Sequence, residues 1–367
     1  MAEFPLPRVI NAAGQMSALG GSVSPADVAR RITDTLNRAM TQPVEIARLK
    51  DEASARIAAA TGAEAGAVTT GAAAAIALSV AACVGGTNPE AVAALPHWIP
   101  KRVVLQSGHD INFGADMVQM LALGGGVPFI AGSKAGVSED DISYALTEAA
   151  ALVYVQSHHV RAKGCQGLET CIRLAHAKGV PVIVDAAAEE DLRHYIALGA
   201  DLVCYSGGKA LGGLSSSGFV AGRADLIEAV RAQDRGIGRA MKVAQEQILS
   251  IILSLDFSTT RRVEDDSGVL AMLANACAAI PGIDSSIIED EVRPAIRRVE
   301  VRHARAERIV QALREGEPPI FVRAHGAAEG RFALDIRNLA IEDVPLVAEA
   351  LAKAVASVDT AADRYGR

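Results

Sequence analysis

The sequence predicts an α/β protein with a mainly parallel central sheet, helices on both faces, and a small α+β domain at the C-terminal end. Three observations carry that expectation. Short β-branched or aliphatic runs alternate with helical patterns through the first part of the chain, and strands separated by helices mark βαβ units. Hydrophobic residues make up 50% of the 367 and aromatic ones only 4%, with 33 glycines. That profile suits a large core packed with small side chains, not a disordered chain. After Pro281-Gly282 the alternation gives way to a long helical pattern, two strand-like runs and a last helix.

In chain order, helices are expected over 26–61, 72–84, 115–123, 139–149 and 167–178. Strands are expected at 103–106, 127–132, 151–156, 180–186, 201–206 and 218–222. The most apolar stretch, Ala72 to Val84, is interrupted only by Ser79. A bilayer span needs roughly 20 apolar residues, so this is a buried helix. Past the Pro-Gly step, a helix is expected over 289–315, strands over 320–326 and 331–339, and a closing helix over 341–356. The expected division is an N-terminal segment, 1–25, that serves the small domain and the active site, a large domain, 26–265, and a small domain, 266–367.

The formal charge of −7 gives no overall attraction to nucleic acid or anionic membranes, while a local basic site for an anionic substrate stays open. The 5 cysteines are scattered without a CxxC pair, so neither a disulfide framework nor a zinc site is indicated. The start, MAEFPLPRVINAAG, has neither a basic opening nor an apolar core segment, so no secretory signal is expected. A reducing cytoplasm is the compartment expected on these features.

Ligands of open parallel sheets bind beyond the carboxyl ends of the strands. Lys209 stands there, just past the strand DLVCYS, in a turn with Gly207 and Gly208. A partly desolvated lysine has a lowered pKa and forms imines readily. A phosphate-binding P-loop requires Ser or Thr after the lysine, and Ala210 follows here. A plain surface lysine is the other reading of the segment alone. Asp185 closes the strand VPVIV, 24 residues before Lys209. A carboxylate there suits a protonated pyridine nitrogen or, more simply, caps a helix. An aspartate closing one strand and a lysine closing the next but one form the arrangement of the aspartate-aminotransferase fold. Thr69-Thr70-Gly71-Ala72-Ala73 opens the apolar helix, and the first amides of a helix attract anions such as a phosphate. Ser206 is a further phosphate ligand on this reading, and an ordinary N-cap is the alternative for Thr69 or Thr70.

Longer motifs agree with that picture. VDAAAEEDL (184–192), YSGGKALGGLSSSG (205–218) and IGRAMKVAQEQI (237–248) resemble the selenocysteine-synthase-like branch of fold-type-I pyridoxal 5′-phosphate (PLP) enzymes. RVINAAGQMSALGG (8–21), QSGHDINFGADMVQMLALGGG (106–126) and FALDIRNLAIEDV (332–344) extend the resemblance over nearly the whole chain. Within the branch the sequence looks most like D-glucosaminate-type ammonia lyases. The resemblance implies that Lys209 carries PLP as a Schiff base and that Asp185 faces the pyridinium. It also implies that Thr70, Gly71, Ala72 and Ser206 hold the phosphate. His109 falls where a side chain stacks on the ring, with a polar loop histidine as the alternative. Arg239 and Lys242 match basic positions for an anionic partner and, three apart on a helix, would share one face; a solvated basic patch is the alternative. Arg337 and Asn11 are further substrate candidates. His158 and His159, adjacent after the strand 151–156, would point to opposite sides and make a poor metal chelate, leaving one of them free to face the substrate.

Bacterial selenocysteine synthases carry an additional N-terminal tRNA domain, and here RVINAAG begins at residue 8, so seryl-tRNA is not expected as substrate. The implied reaction is α,β-elimination on a small β-hydroxy amino acid or amino-sugar acid, giving a 2-oxo acid and ammonia. An aldolase, racemase or β-replacement enzyme, a selenium transferase, and a non-catalytic PLP-binding protein are the rivals. A homodimer is implied too, with Gly212 to Ser217 touching the neighbour's phosphate site.

Overall fold

A computed structural model describes residues 5–156, 164–258, 267–290 and 293–365. Two compact units are present, one of residues 24–261 and one joining 1–23 to 262–367. In chain order the elements are β1 (Ile10–Ala12), α1 (Ala26–Met40), α2 (Ile46–Thr61), β2 (Ala65–Thr69), α3 (Ala72–Gly85), α4 (Pro89–Ala94), β3 (Lys101–Gln106), α5 (Met117–Leu123) and β4 (Gly126–Ala131). Then come α6 (Glu139–Ala145), β5 (Ala149–Val155), α7 (Leu168–His176), β6 (Val182–Asp185), α8 (His194–Ala197), β7 (Leu202–Ser206) and β8 (Gly218–Gly222). The chain continues through α9 (Ala224–Ala232), α10 (Gln245–Ser258), α11 (Ser267–Ala278), β9 (Asp284–Glu289), β10 (Arg297–Arg302), α12 (Ala306–Arg314), β11 (Ile320–Val322), β12 (Arg331–Asp335) and α13 (Val344–Tyr365).

The larger unit is built on a seven-stranded sheet in the order β2-β8-β7-β6-β5-β3-β4. Strands β3 to β7 pair in parallel, while β8 runs antiparallel to both β7 and β2. Side chains alternate across the pleat. Val103 and Leu105 therefore join the core under α3, and Val104 joins the core on the opposite face with Leu152, Val184 and Phe219. Helix α3 is apolar around its whole girth because sheet and helices enclose it, leaving Ile76, Val80 and Ala81 buried. Pro128 lies in β4, the edge strand, where a missing N–H is tolerated.

In the smaller unit β12-β10-β9 form an antiparallel sheet, and β1 pairs in parallel with β11. Helices α11, α12 and α13 supply Leu273, Ile309 and Leu351 to its core.

Three expectations are corrected. The stretch 26–61 is two helices, broken across Pro43, because proline removes a donor and clashes with the preceding turn. The helix expected over 289–315 is instead the end of β9, then β10, then α12, with Pro294 between the two strands. The helix expected to run to residue 149 ends at Ala145, and Ala149 already starts β5. Glu148, in the left-handed region at φ 60°, makes that reversal.

Candidate active site

Strands β6 and β7 are immediate neighbours in the sheet, with Asp185 opposite Cys204 in parallel register. The sequence expectation had placed the lysine after the next strand but one. Lys209 in fact follows the very next strand, and adjacency is what brings the two charges together. Asp185 is buried, and its Oδ1 accepts the Ala187 amide at 3.1 Å. Burial pushes its pKa up, while the Lys209 ammonium and that amide pull it back down. A cation placed against this carboxylate would favour the ionised form further, as a protonated pyridine nitrogen does.

The helix start expected to cradle the phosphate lies on the same edge. Gly71 caps α3 with φ 135°, and a Cβ built there would meet nothing within 4 Å, so the helix start is open to an anion. Thr70, Gly71 and Ala72 are half-buried, while Thr69 turns inward and donates through Oγ1 to the Gly71 carbonyl at 2.9 Å. Ser206 is half-buried at the end of β7, its amide donating to Ala187 O at 3.3 Å. Gly218, which opens β8, was not singled out from the sequence. A Cβ on it would lie 2.8 Å from Gly71 Cα and 2.7 Å from the Tyr205 carbonyl oxygen. This bare backbone contact joins the phosphate cradle to the strand that leads into the lysine turn. The residue type at a strand start was the only sequence signal.

His109 is no polar loop histidine. It ends a short 3-10 turn after β3, is 2% exposed, and stands edge-on to Tyr154 with ring centroids 4.5 Å apart. Its Nδ1 accepts the amide of Val155, the residue opposite Asp185 in the β5/β6 pairing. Burial lowers its pKa to about 4, so the ring is neutral with its proton on Nε2. Thr70, Gly71, Ala72, His109, Asp185, Ser206 and Lys209 thus belong to one unit and to the carboxyl ends of its strands. Together they fit PLP: an open helix start for the phosphate, a buried carboxylate for the ring nitrogen and a lysine beside it.

The other candidates are placed differently. Arg239 ends a 3-10 turn, Ile237–Arg239, and Lys242 lies in irregular chain before α10, so the two do not share an α-helical face. The reason is packing: a Cβ on Gly236 would reach within 2.3 Å of Val92 O, and one on Gly238 within 2.7 Å of Gln233 O. Both cations are exposed. Asn11 and Arg337 belong to the smaller unit. Asn11 shapes its own turn, donating to Gly14 O and accepting from the Ala13 amide, both at 3.0 Å. Arg337 grips Asp335 through Nε at 2.9 Å and Nη2 at 2.8 Å. His158 and His159 lie outside the described residues.

All 5 cysteines are free thiols, and burial pushes Cys83 and Cys171 up to about 12. Among the described residues no helix is long and apolar enough to cross a membrane. A cleft of about 1060 Å³ opens at the opposite, amino-terminal edge of the sheet, beside Lys101, Arg102 and Pro181, and is not part of this site.

Comparison with known proteins agrees with the geometry. A family model described as "SelA: L-seryl-tRNA selenium transferase" matches residues 182–283, the span holding Asp185 and Lys209. The chain is 36% identical to D-glucosaminate-6-phosphate ammonia lyase of Salmonella typhimurium (strain 14028s / SGSC 2262), over 94% of this chain and 95% of that one. It is 38% identical to a 5′-C-glycyluridine monooxygenase-decarboxylase of Streptomyces sp, over 90% and 86%. A solved D-glucosaminate-6-phosphate ammonia-lyase superposes with a TM-score of 0.87 at 35% identity, covering 96% of each chain. A Thermus thermophilus aspartate aminotransferase shares the fold at a TM-score of 0.56 and 16% identity, over 94% and 96% of the two chains. With a lysine, a carboxylate and a phosphate cradle together at one sheet edge, the chain belongs to the selenocysteine-synthase-like family of fold-type-I PLP enzymes.

Proposed function

We propose that this protein is a PLP-dependent ammonia lyase, converting a small β-hydroxy amino acid or amino-sugar acid into a 2-oxo acid and ammonia. The observation that carries the reading is Asp185 and Lys209 at the carboxyl ends of adjacent parallel strands, the lysine's charge favouring the ionised carboxylate. The end-to-end similarity to an ammonia lyase gives that pair its reaction. Bound PLP supplies an electron sink for the negative charge that develops at the substrate's Cα.

The protein's own groups do the rest. Burial raises the pKa of Asp185 against the pull of Lys209. The carboxylate would be favoured in its ionised form by a protonated ring nitrogen beside it, and would hold that nitrogen protonated in turn. The amides of Gly71 and Ala72, with the Thr70 and Ser206 hydroxyls, bind the phosphate. Lys209 anchors the cofactor, then serves as general base, its Nζ accepting the Cα proton. Loss of the β-hydroxyl as water, then hydrolysis of the enamine, balances to one 2-oxo acid and one ammonia. Arg239 and Lys242, exposed and cationic, are proposed to meet the substrate's anionic end. Asn11 and Arg337 are weaker proposals for that role because each has a local partner. The net charge of −7 favours a small substrate over RNA. A cytoplasmic homodimer is part of the same proposal.

The Streptomyces relative favours a second reading, decarboxylation with uptake of dioxygen. Incubating the PLP-loaded protein with β-hydroxy amino acids and phosphorylated amino-sugar acids separates the two. The lyase gives 2-oxo acid and ammonia in equal amounts; the alternative gives carbon dioxide and consumes dioxygen. Lys209→Ala should abolish both turnover and the visible absorbance of the bound cofactor. An unchanged band in that variant would sink the assignment.

A further inference from the structure

Lys209 sits in the connection between β7 and β8, and this connection is folded on itself. Gly207 N donates to Ser217 O and Gly213 N to Gly207 O, both at 2.8 Å, while Gly212 N reaches Lys209 O at 3.1 Å. Two backbone positions are tied to other elements of the unit. The Leu214 amide donates to Ser250 Oγ on α10 at 2.8 Å, and Ser24 Oγ donates to Gly212 O at 2.5 Å. Ser250 is fully buried, and its Oγ lies 3.5 Å from that of Ser217, whose hydroxyl also bonds Leu214 O at 2.7 Å. The loop rests directly on this face of α10. A Cβ on Gly213 would stand 2.7 Å from Ser250 Oγ and 2.6 Å from Ser254 Oγ, and one on Gly207 would stand 2.7 Å from Ile251 Cδ1.

We propose that Ser250 is a positioning residue, whose hydroxyl fixes the backbone of the lysine turn and thereby keeps Nζ beside Asp185. The chain is held at Ser206 by β7 and at Leu214 by Ser250, so Lys209 lies between two fixed points. Without the acceptor, the half-buried Leu214 amide loses its partner, and the turn shifts to bring it to water. Nζ then drifts from the carboxylate that stabilises its charge. The inference rests on the reading that Lys209 carries the cofactor.

Ser250→Ala and Ser250→Thr, with the wild type, test it by two measurements. In the cofactor-free protein, hydrogen exchange at the Leu214 amide should quicken about tenfold in the alanine variant, the order expected for one lost hydrogen bond. In the PLP-loaded protein, the pH midpoint of the visible band should fall by about half a unit as coupling to Asp185 weakens. Threonine, which keeps the hydroxyl, should restore both. If alanine does not fold, Ser250→Cys keeps the volume with a poor acceptor and should change both readouts in the same direction. Unchanged exchange and an unchanged midpoint in a folded variant overturn the proposal. A wild type with no visible band would instead refute the cofactor assignment, leaving the exchange measurement to judge the anchor.

Discussion

The imidazole of His109 has its protonation state set by surroundings that have nothing to do with a substrate. Burial disfavours the cation, and the Val155 amide already occupies Nδ1. A group that is neutral at pH 7 with its proton on Nε2 donates a hydrogen bond but takes no proton there. On the proposed mechanism the imidazole would stand as a donor or a packing surface for the cofactor ring, leaving the proton transfer to Lys209. The sign of the pH effect follows. The folded-state pKa of about 4 lies below the ordinary 6.5, so the unfolded chain binds the extra proton. The stability contribution is full above pH 6.5 and is lost as pH falls towards 4, on the order of 3 kcal/mol in all. His109→Phe, which has no proton to bind, should flatten this acid limb. Urea unfolding of the cofactor-free protein at pH 7 and pH 4.5 measures it, and parallel losses in the two proteins would contradict the assignment.

Among the elements, the start of β8 carries more of the site than its length suggests. The Gly218 backbone touches Gly71, so a methyl group there must push the helix start away from the lysine turn or break the β7/β8 pairing at Ser206. Overpacking of this kind costs about 1–3 kcal/mol. Gly218→Ala should leave the unit folded but weaken PLP binding about tenfold or more, as read by equilibrium titration of the visible band. Unaltered affinity would mean that the two halves of the cradle do not depend on this contact. Such contacts are hard to read from sequence because they belong to residues without side chains. The parallel strands were legible because β3, β5, β6 and β7 are buried aliphatic runs. Strand β2, with the sequence AGAVT, was not. Its Gly66 exists to admit Ile57, whose Cγ2 would lie 2.4 Å from a Cβ there. Strand β10 was hidden for another reason. Arg298 and Glu300 are buried in it, and Arg298 bonds Asp335 at 2.7 Å and Asp290 at 2.9 Å. Hydrophobic periodicity registers no buried charge, and the aliphatic residues around it suited a helix just as well. The helical face expected to be shared by Arg239 and Lys242 failed alike, where Gly236 packs its backbone against Val92 O and Gly238 against Gln233 O.

For the whole molecule, the composition was a sound guide to a large core packed with small side chains, but the division of labour between units follows from tertiary contacts. The proposed cofactor ligands Thr70, Asp185, Ser206 and Lys209 all lie within residues 24–261. A ligand that binds only the folded state stabilises it by RT ln(1 + [L]/Kd), about 2.7 kcal/mol at a hundredfold excess over Kd. For a unit of this size each kcal/mol raises Tm by roughly 2–4 °C, so saturating PLP should raise the melting transition of this unit by about 5–10 °C. On the proposed assignment, part of that gain would come from the Lys209 linkage and part from the Gly71 helix start and Asp185. Lys209→Ala should therefore keep a reduced shift while losing the visible band, because the noncovalent contacts survive. Asp185→Asn should lose a different part, the charge on the ring nitrogen, and keep the band with lower affinity. Differential scanning calorimetry with and without PLP, on the wild type and both variants, checks the ordering. If Lys209→Ala loses the whole shift, the covalent bond alone holds the cofactor, and the helix start at Gly71 is not its phosphate site.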